Sequence, residues 1–126
     1  MLEVAVEAKL TGIVATNTTM SRDGIKLDEV GGLSGKPLKA KADAILGHLG
    51  QAKTDLVLIG VGGIFTGDDV YDKIALGAHL VQVYTGWVYG GPTMVGTCLT
   101  RLLERMEQDG IKSLDELRGT NRKSAV

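Results

Sequence analysis

The sequence predicts an α/β fold with a parallel sheet, on three observations. Short apolar runs rich in β-branched residues occur at residues 12–17, 56–61 and 80–84, each run ends at a glycine or a polar turn, and helical patterns separate them. Continuous apolar character is typical of strands in a parallel sheet that is covered on at least one face. Alternation of strands and helices then requires crossover connections and an α/β architecture.

Two helices are predicted between the apolar runs. Residues 38–49 have apolar side chains at helical intervals and follow Pro37, whose fixed φ suits a first helical turn. Residues 68–76 begin with two aspartates, which the helix dipole favours in a first turn, and Gly77 is a suitable C-terminal stop. The order of elements is therefore strand, helix, strand, helix, strand.

Two further helices are predicted after the last apolar run. Residues 93–108 form the longest helix, which stops at Gly110. Ser113 and Glu116 have the spacing of a capping box, which predicts a last short helix over residues 113–117. The apolar stripe of the longest helix is expected to face the core and consists of Val95, Cys98, Leu99, Leu102, Leu103 and Met106.

Length and composition limit the function classes. The chain has 126 residues, enough for one small domain and about half of the ~250 residues of a (β/α)8 barrel. A formal net charge of -1 with 44% hydrophobic residues argues against disorder and against a polybasic surface for nucleic acid. One cysteine and two histidines give no disulfide framework and no zinc-ligand spacing. Residues 1–10 are too charged for a signal peptide, and no membrane segment is expected in this chain.

Glycine is in excess, with 18 in the chain, about twice the usual ~7%. Two clusters, at residues 31–37 and 60–67, are placed at strand ends, where backbone N–H groups bind phosphates in α/β proteins. Neither cluster is a dinucleotide fingerprint or a Walker loop, and Asp68 and Asp69 would repel a triphosphate. The pattern favours a site for a single phosphate, and tight turns without a ligand are the alternative.

Polar side chains also follow two of the predicted strands. Residues 16–19 read Thr-Asn-Thr-Thr, and an asparagine amide has the donors and the acceptor that a planar ring with amide groups requires. A polar turn or a helix cap is the alternative for these residues. Residues 84–86 read Tyr-Thr-Gly and could offer a backbone N–H and a hydroxyl to the same phosphate as the second glycine cluster.

Other reactive side chains are interpreted as structural. Cys98 lies on the apolar stripe of the longest helix, which favours a buried packing residue over a nucleophile. His48 and His79 have no acidic or serine partner at an informative spacing. Trp87 and Tyr89 lie in a turn-rich junction before the longest helix, which favours core and loop packing over a ligand cage.

Four strings of residues occur in the order found in one enzyme family. They are ATNTT at 15–19, GGLSGKPL at 31–38, IGVGGI at 59–64 and LVQVYTG at 80–86, followed by Gly91-Pro92. Together they resemble the C-terminal part of dihydroorotate dehydrogenase, and Lys36-Pro37 with Tyr84 resemble the class 2, quinone-dependent members. The resemblance implies that residues 1–126 form a partial barrel, the last three βα units of a (β/α)8 TIM barrel that is incomplete in this chain.

The same resemblance implies a reaction and a set of site residues. The reaction is the FMN-dependent conversion of (S)-dihydroorotate to orotate with a quinone acceptor, a step of pyrimidine (UMP) biosynthesis. Thr16 looks like a flavin contact, and Asn17 and Thr18 look like the residues that hydrogen-bond the pyrimidine of the substrate. The positions that resemble the holders of the FMN phosphate are Gly35, Gly63, Tyr84 and Thr85.

The sequence also departs from the family pattern. The family's catalytic serine base and its flavin-facing lysine belong to the first half of the barrel, and no motif for either occurs here, so no catalytic residue is predicted in this portion. The quinone site and the membrane-contacting helices are expected upstream as well. The chain alone is therefore expected to be inactive, and the whole enzyme is expected at the mitochondrial inner membrane or the bacterial cytoplasmic membrane. Residues 21–30 are shorter than the resemblance leads one to expect.

Two other interpretations stay open. The chain could be a non-catalytic α/β module that keeps the phosphate loops and serves binding or assembly. It could also belong to a different FMN barrel, such as a class 1 enzyme or a dihydropyrimidine oxidoreductase, against which Lys36-Pro37 and Tyr84 argue.

Overall fold

The computed structural model describes residues 2–22, 25–26, 30–52 and 54–121. Its three strands are Gly12–Ala15 (β1), Val57–Val61 (β2) and Leu80–Gln82 (β3), and they are shorter than predicted. The sheet is parallel and has the order β1-β2-β3, in which Val14 pairs with Ile59 and Ile59 pairs with Leu80. The predicted α/β class with a parallel sheet is therefore confirmed.

The four predicted helices are all present. Gly77 and Gly110 follow two of them with φ values of 121° and 70°, the left-handed conformation that ends a helix. Two short helices, at Leu2–Glu7 and Thr85–Gly90, and a 3₁₀ turn at Lys36–Leu38 were not predicted from the sequence. The helix bounds are Leu2–Glu7 for α1, Lys39–Gln51 for α2, Gly67–Ala75 for α3, Thr85–Gly90 for α4, Met94–Gln108 for α5 and Leu114–Leu117 for α6.

The helices cover one face of the sheet. A cluster between α2, β2 and the turn after α3 is built on Leu46, Leu58 and Ala78, all at most 4% exposed. A second cluster lies between α3 and α5, where Ile74 contacts the same core as Leu102. Burial of these side chains fixes α2, α3 and α5 against the strands and so fixes where the loops at the strand ends lie.

The opposite face of the sheet carries an uncovered apolar row. Paired residues on neighbouring parallel strands point to the same face, so Val14, Ile59 and Leu80 form one row across the sheet. Val14 is 53% exposed and Leu80 is 60% exposed. In a closed (β/α)8 barrel this face is the packed interior.

Two predictions about packing were wrong. On α5 the buried line contains Cys98, Leu102 and Met106, whereas Val95, Leu99 and Leu103 are at least 48% exposed. The reason is geometric: α5 packs on α3 along one line, and the second apolar line faces away from it. Trp87 and Tyr89 are likewise exposed, at 48% and 82%, and lie on α4 rather than in the core.

Candidate functional site

The loops that follow the three strands meet around a cavity of about 160 Å³. Parallel strands present their carboxyl ends at one edge of a sheet, and ligands bind there in α/β barrels and open sheets. None of the described residues that line the cavity has a charged side chain. Every site residue predicted from the sequence is among them: Thr16, Asn17, Thr18, Gly35, Gly63, Tyr84 and Thr85.

The segment after β1 supplies three polar side chains. The Thr16 N–H donates to the carbonyl oxygen of Val61 at 3.2 Å, which ties the segment to the end of β2. The Thr16 hydroxyl oxygen is buried and has no hydrogen-bond partner among the described residues. The Asn17 Oδ1 atom accepts the Thr18 N–H at 2.8 Å, so part of the asparagine amide serves a local turn while its exposed side chain lines the cavity.

A short antiparallel bridge joins this segment to the first glycine cluster. Thr19 and Leu33 exchange both backbone hydrogen bonds, at 3.0 and 2.7 Å. The bridge brings Gly32 against the Thr18 side chain, since a Cβ on Gly32 would lie 1.8 Å from the Thr18 hydroxyl oxygen. Residues 21–30, noted above as shorter than the resemblance implies, come between Thr19 and Leu33 in the sequence, and residues 23, 24 and 27–29 are outside the described residues.

Two loops that are distant in sequence are joined by hydroxyl groups at the cavity. The Thr85 hydroxyl donates to the Ser34 hydroxyl oxygen at 2.9 Å. Between them Gly35 has a φ of 79°, and a Cβ there would lie 3.2 Å from the Thr85 methyl carbon. The first glycine cluster and the end of β3 are therefore in direct contact, as a shared phosphate site requires.

The loop between β2 and α3 depends on glycine for its shape. Gly62 and Gly63 have φ values of 104° and 72°, which other residues rarely adopt. A Cβ on Gly63 would lie 2.4 Å from the Lys39 Cβ and 2.5 Å from the Lys39 Cα. The loop backbone therefore rests directly on the first residue of α2.

Asp69 holds the other end of this loop. Thr66 and Asp69 form a capping box at the start of α3, and the Asp69 Oδ2 atom accepts the N–H groups of Phe65 and Thr66, both at 2.9 Å. Burial opposes ionisation of Asp69, but these donors and nearby Lys39 outweigh it and hold the pKa of Asp69 below its usual value. The capping box predicted at Ser113 and Glu116 forms only in part: the Ser113 hydroxyl accepts the Glu116 N–H, whereas the Glu116 carboxylate accepts the N–H of Lys112.

The two aspartates of this helix start are both paired with cations. The Lys39 Nζ atom lies 3.3 Å from Asp69 Oδ1, and Arg101 binds Asp68 through two hydrogen bonds of 2.9 and 3.1 Å. Hydrogen bonding from Arg101, with support from Arg105, holds the pKa of Asp68 below its usual value. The sequence predicted that these carboxylates repel a triphosphate, whereas the structure shows each of them paired with a neighbouring cation.

The third loop continues directly into α4. A Cβ on Gly86 would lie 2.0 Å from the carbonyl oxygen of Ile64, so the start of α4 packs against the β2–α3 loop without room for a side chain. Tyr84 and Thr85 precede that contact and line the cavity, with the Tyr84 side chain 79% exposed. The first N–H groups of a helix have no intrahelical acceptor, and here they belong to cavity-lining residues.

Cys98 and His79, which the sequence favours as structural residues, have structural contacts. Cys98 is buried, and desolvation raises the pKa of its thiol, which disfavours the reactive thiolate. The His79 Nδ1 atom accepts the Leu58 N–H at 3.1 Å, so this ring completes the hydrogen bonding at β2. His48 is exposed in the last turn of α2.

Sequence reasoning missed three side chains that shape the site. Phe65 and Ser34 line the cavity, and Lys39 supports Gly63 from behind. Ser34 was interpreted from the sequence as part of the glycine loop and not as a catalytic base, and its contact with the Thr85 hydroxyl was not foreseen. Nothing in the sequence pairs Lys39 with Asp69, because that contact joins the starts of two helices.

Together these features define three βα units of a barrel-type α/β protein, with a cavity at the carboxyl ends of its strands. The chain belongs to the dihydroorotate dehydrogenase family, whose family model, described as "Dihydroorotate dehydrogenase", matches residues 1–106.

Similar proteins agree with this membership. The chain is 45% identical over 122 residues to a dihydroorotate dehydrogenase (quinone) of Gloeobacter violaceus, and the match covers 94% of this chain and 35% of that protein. It is 47% identical over 121 residues to a protein of the same name from Thermus thermophilus, covering 94% of this chain and 35% of the relative. The chain therefore spans about a third of the length of the curated relatives it matches.

Solved structures give the same result. A crystal structure of DHODH from Eimeria tenella in complex with ferulenol superposes with a TM-score of 0.90 at 35% identity, covering 97% of this chain and 34% of that chain. The ligand-free type from the same organism gives a TM-score of 0.89 at 35% identity, covering 95% of this chain and 35% of that chain. The predicted fold, a part of a TIM barrel, is confirmed.

Proposed function

We propose that this chain supplies the FMN-phosphate loops and part of the substrate site of a quinone-dependent dihydroorotate dehydrogenase. The whole enzyme would oxidise (S)-dihydroorotate to orotate by two electrons and reduce a quinone to a quinol, within pyrimidine (UMP) biosynthesis. One observation carries the proposal: three loops that are distant in sequence bring every predicted site residue to a single cavity.

The residues of the cavity fit a flavin mononucleotide. The Thr16 hydroxyl oxygen is buried without a partner in the described residues, which is costly unless a ligand supplies one. Gly35 and Gly63 have φ values of 79° and 72°, which other residues rarely adopt, and both line the cavity with their backbone. No acidic side chain of the described residues lines the cavity, so an anion meets only neutral donors there.

Each group of residues has a distinct part in this proposal. Gly35, Gly63, Tyr84 and Thr85 would bind the phosphate, mostly through backbone N–H groups, and Thr16 would contact the flavin. Asn17 and Thr18 would hydrogen-bond the pyrimidine ring and orient the substrate. The chain's own contribution is orientation, which lowers the entropic part of the barrier. FMN, when bound, supplies the acceptor for the hydride that leaves the substrate.

We further propose that the chain is inactive by itself. Its only cavity-lining serine among the described residues, Ser34, accepts a hydrogen bond from Thr85 and has no basic partner there that would make it a proton acceptor. The uncovered row of Val14, Ile59 and Leu80 also needs further strands to bury it. Both the base and those strands would come from the rest of the barrel.

The quinone site and the membrane contact belong to the same proposal. Among the described residues, no helix has the length and apolar character that crossing a bilayer requires. Contact with a quinone pool at the mitochondrial inner membrane or the bacterial cytoplasmic membrane would therefore depend on other segments of the enzyme.

The test compares the 126-residue chain with the complete gene product. We expect the complete product to copurify with FMN and to reduce a soluble quinone with dihydroorotate, and the 126-residue chain to show no turnover. Turnover of the short chain at the level of the complete product would contradict the need for a missing half. A complete product that binds FMN without any turnover would favour the non-catalytic module instead.

A substitution tests the substrate part of the site. Asn17→Ala in the complete product should lower kcat/KM for dihydroorotate by roughly tenfold or more, because a hydrogen-bonding site loses its donors, while bound flavin is retained. Asn121→Ala is the matched control, since Asn121 is exposed and does not line the cavity. Loss of flavin together with activity in Asn17→Ala would make this residue a cofactor or folding residue.

A further inference from the structure

The charges that support the β2–α3 loop lie behind it, at the starts of α2 and α3, rather than in the cavity. Lys39 is the first residue of α2 and supports Gly63 directly, with a Cβ on Gly63 only 2.4 Å from the Lys39 Cβ. The Lys39 ammonium lies 3.3 Å from Asp69 Oδ1, and Asp69 holds the N–H groups of Phe65 and Thr66 in the same loop. A cation and a carboxylate are thus both built into the support of this loop.

The neighbouring charges form a balanced network. Lys39 also lies 2.8 Å from Asp43 Oδ2 and 3.8 Å from Asp72 Oδ2. Asp43 is shared with Lys73 at 2.7 Å, and Asp72 is shared with Arg105 at 3.1 Å. Among the described residues of this network, Lys39 is the cation that compensates Asp69.

Asp69 creates a conflict that this cation resolves. Its carboxylate shapes the loop by accepting two backbone N–H groups, yet its negative charge stands next to a loop that is proposed to bind an anion. In a partly buried setting a unit charge acts over several ångströms, so an uncompensated carboxylate would weaken anion binding. The pKa of Lys39 is raised, because the Asp43 and Asp69 carboxylates outweigh the effect of burial, so the compensating charge is present at neutral pH.

We propose that Lys39 is a positioning and charge-compensating residue for the phosphate subsite. It lets Asp69 fix the β2–α3 loop without repelling the phosphate of the cofactor. This inference rests on the proposed function, because it takes the FMN phosphate as the anion at this loop.

The test uses the ratio of FMN affinity to riboflavin affinity, measured by flavin fluorescence on the deflavinated complete gene product. Riboflavin lacks the phosphate, so a general loss of folding or of ring binding changes both affinities, whereas a charge effect changes their ratio. Lys39→Gln leaves one uncompensated negative charge, and Asp69→Asn leaves one uncompensated positive charge. The double variant restores the balance.

The expected order of the ratio follows the local charge. Relative to wild type, Lys39→Gln should lower the ratio about fivefold, or about 1 kcal/mol at 25 °C. Asp69→Asn should raise the ratio or leave it unchanged, and the double variant should return it to the wild-type value. Lys112→Gln is the control that also removes one lysine charge, since Lys112 is exposed and does not line the cavity, and it should leave the ratio unchanged.

Distinct outcomes contradict the two proposals. If the wild-type product binds FMN no better than riboflavin, the phosphate site itself is refuted. If wild type prefers FMN but Lys39→Gln keeps the full ratio, or the double variant falls as far as Lys39→Gln, compensation by Lys39 is refuted. Should Lys39→Gln fail to fold, Asp69→Asn decides alone, because a lowered ratio in that variant contradicts the charge argument.

Discussion

Lys73 gives the sharpest test of how the two helices that carry the glycine loops are held together. Its side chain is fully buried, at 0% exposure, and its ammonium lies 2.7 Å from Asp43 Oδ1. Its methylene stem packs on β2, since a Cβ on Gly60 would lie 3.1 Å from the Lys73 Cδ. Lys73 belongs to α3 and Asp43 to α2, so one ion pair connects both helices across the end of a strand.

The expected cost of removing this lysine can be worked out in two parts. Lys73→Met keeps most of the stem and loses a charge-assisted hydrogen bond, worth about 1.5 to 3 kcal/mol. The cost should fall near 2 kcal/mol, because Asp43 is 20% exposed and keeps Lys39 at 2.8 Å. Lys73→Ala also removes three methylene groups at about 0.8 kcal/mol each, so its total cost should be about 4 kcal/mol.

Urea denaturation of the complete gene product, followed by circular dichroism, measures both costs. Lys112→Met is the matched control, because Lys112 is exposed and its loss should change the free energy of unfolding by less than about 0.5 kcal/mol. A double-mutant cycle with Asp43→Asn should show that the two losses are not additive. A Lys73→Met variant as stable as wild type would refute the reasoning. It would show that the contact between the Lys73 ammonium and the Asp43 carboxylate contributes no net stability, as is found for some buried ion pairs.

Two further predictions concern a glycine and a tyrosine. Gly63→Ala should destabilise the complete product in thermal unfolding by about 1 to 3 kcal/mol more than Gly91→Ala, because it inserts a methyl group into filled space. Both glycines have a φ of 72°, but only the Gly63 Cβ meets Lys39, whereas the Gly91 Cβ meets nothing within 4 Å. Equal losses would show that the loop moves to admit the side chain. Burial, with a hydrogen bond to a carboxylate, raises the pKa of Tyr71 from 10.0 to about 12, so the stability it contributes is complete below pH 10 and is lost as pH rises towards 12. The advantage of wild type over Tyr71→Phe should therefore shrink as pH rises through that window, and an advantage that stays constant would contradict the raised pKa.

The strands and long helices could be predicted because their signals are local. Continuous apolar runs marked the three strands, and Gly77 and Gly110 marked two helix ends through backbone conformations that glycine adopts easily. The helix α4 could not be predicted in this way, because its sequence is flanked by glycines and its start is fixed by contact with the Ile64 carbonyl. That contact joins parts of the chain that no short window contains.

The sequence predicted which residues line the site better than it predicted the side-chain contacts that join the loops. Parallel strands end at one edge of a sheet, so residues after different strands could be expected to meet, and they line one cavity. The Ser34 and Thr85 hydroxyl pair and the Lys39 and Asp69 ion pair could not be expected, because each joins two loops or helix starts. The pairing of Asp68 and Asp69 with cations could not be expected either, because a sequence shows the charges on a segment but not the cations that face them.

The wrong prediction for α5 has a related cause, and it bears on the proposed incompleteness of the chain. Helical periodicity predicted that Val95, Leu99 and Leu103 are covered, and they are exposed. The sheet shows a second uncovered apolar surface, the row containing Val14 and Leu80. A closed barrel buries the inner face of its sheet under its own strands and each helix flank under the next helix, so one closure would cover both surfaces. The excess of apolar residues over those the chain itself buries is therefore what three units of a larger barrel should carry.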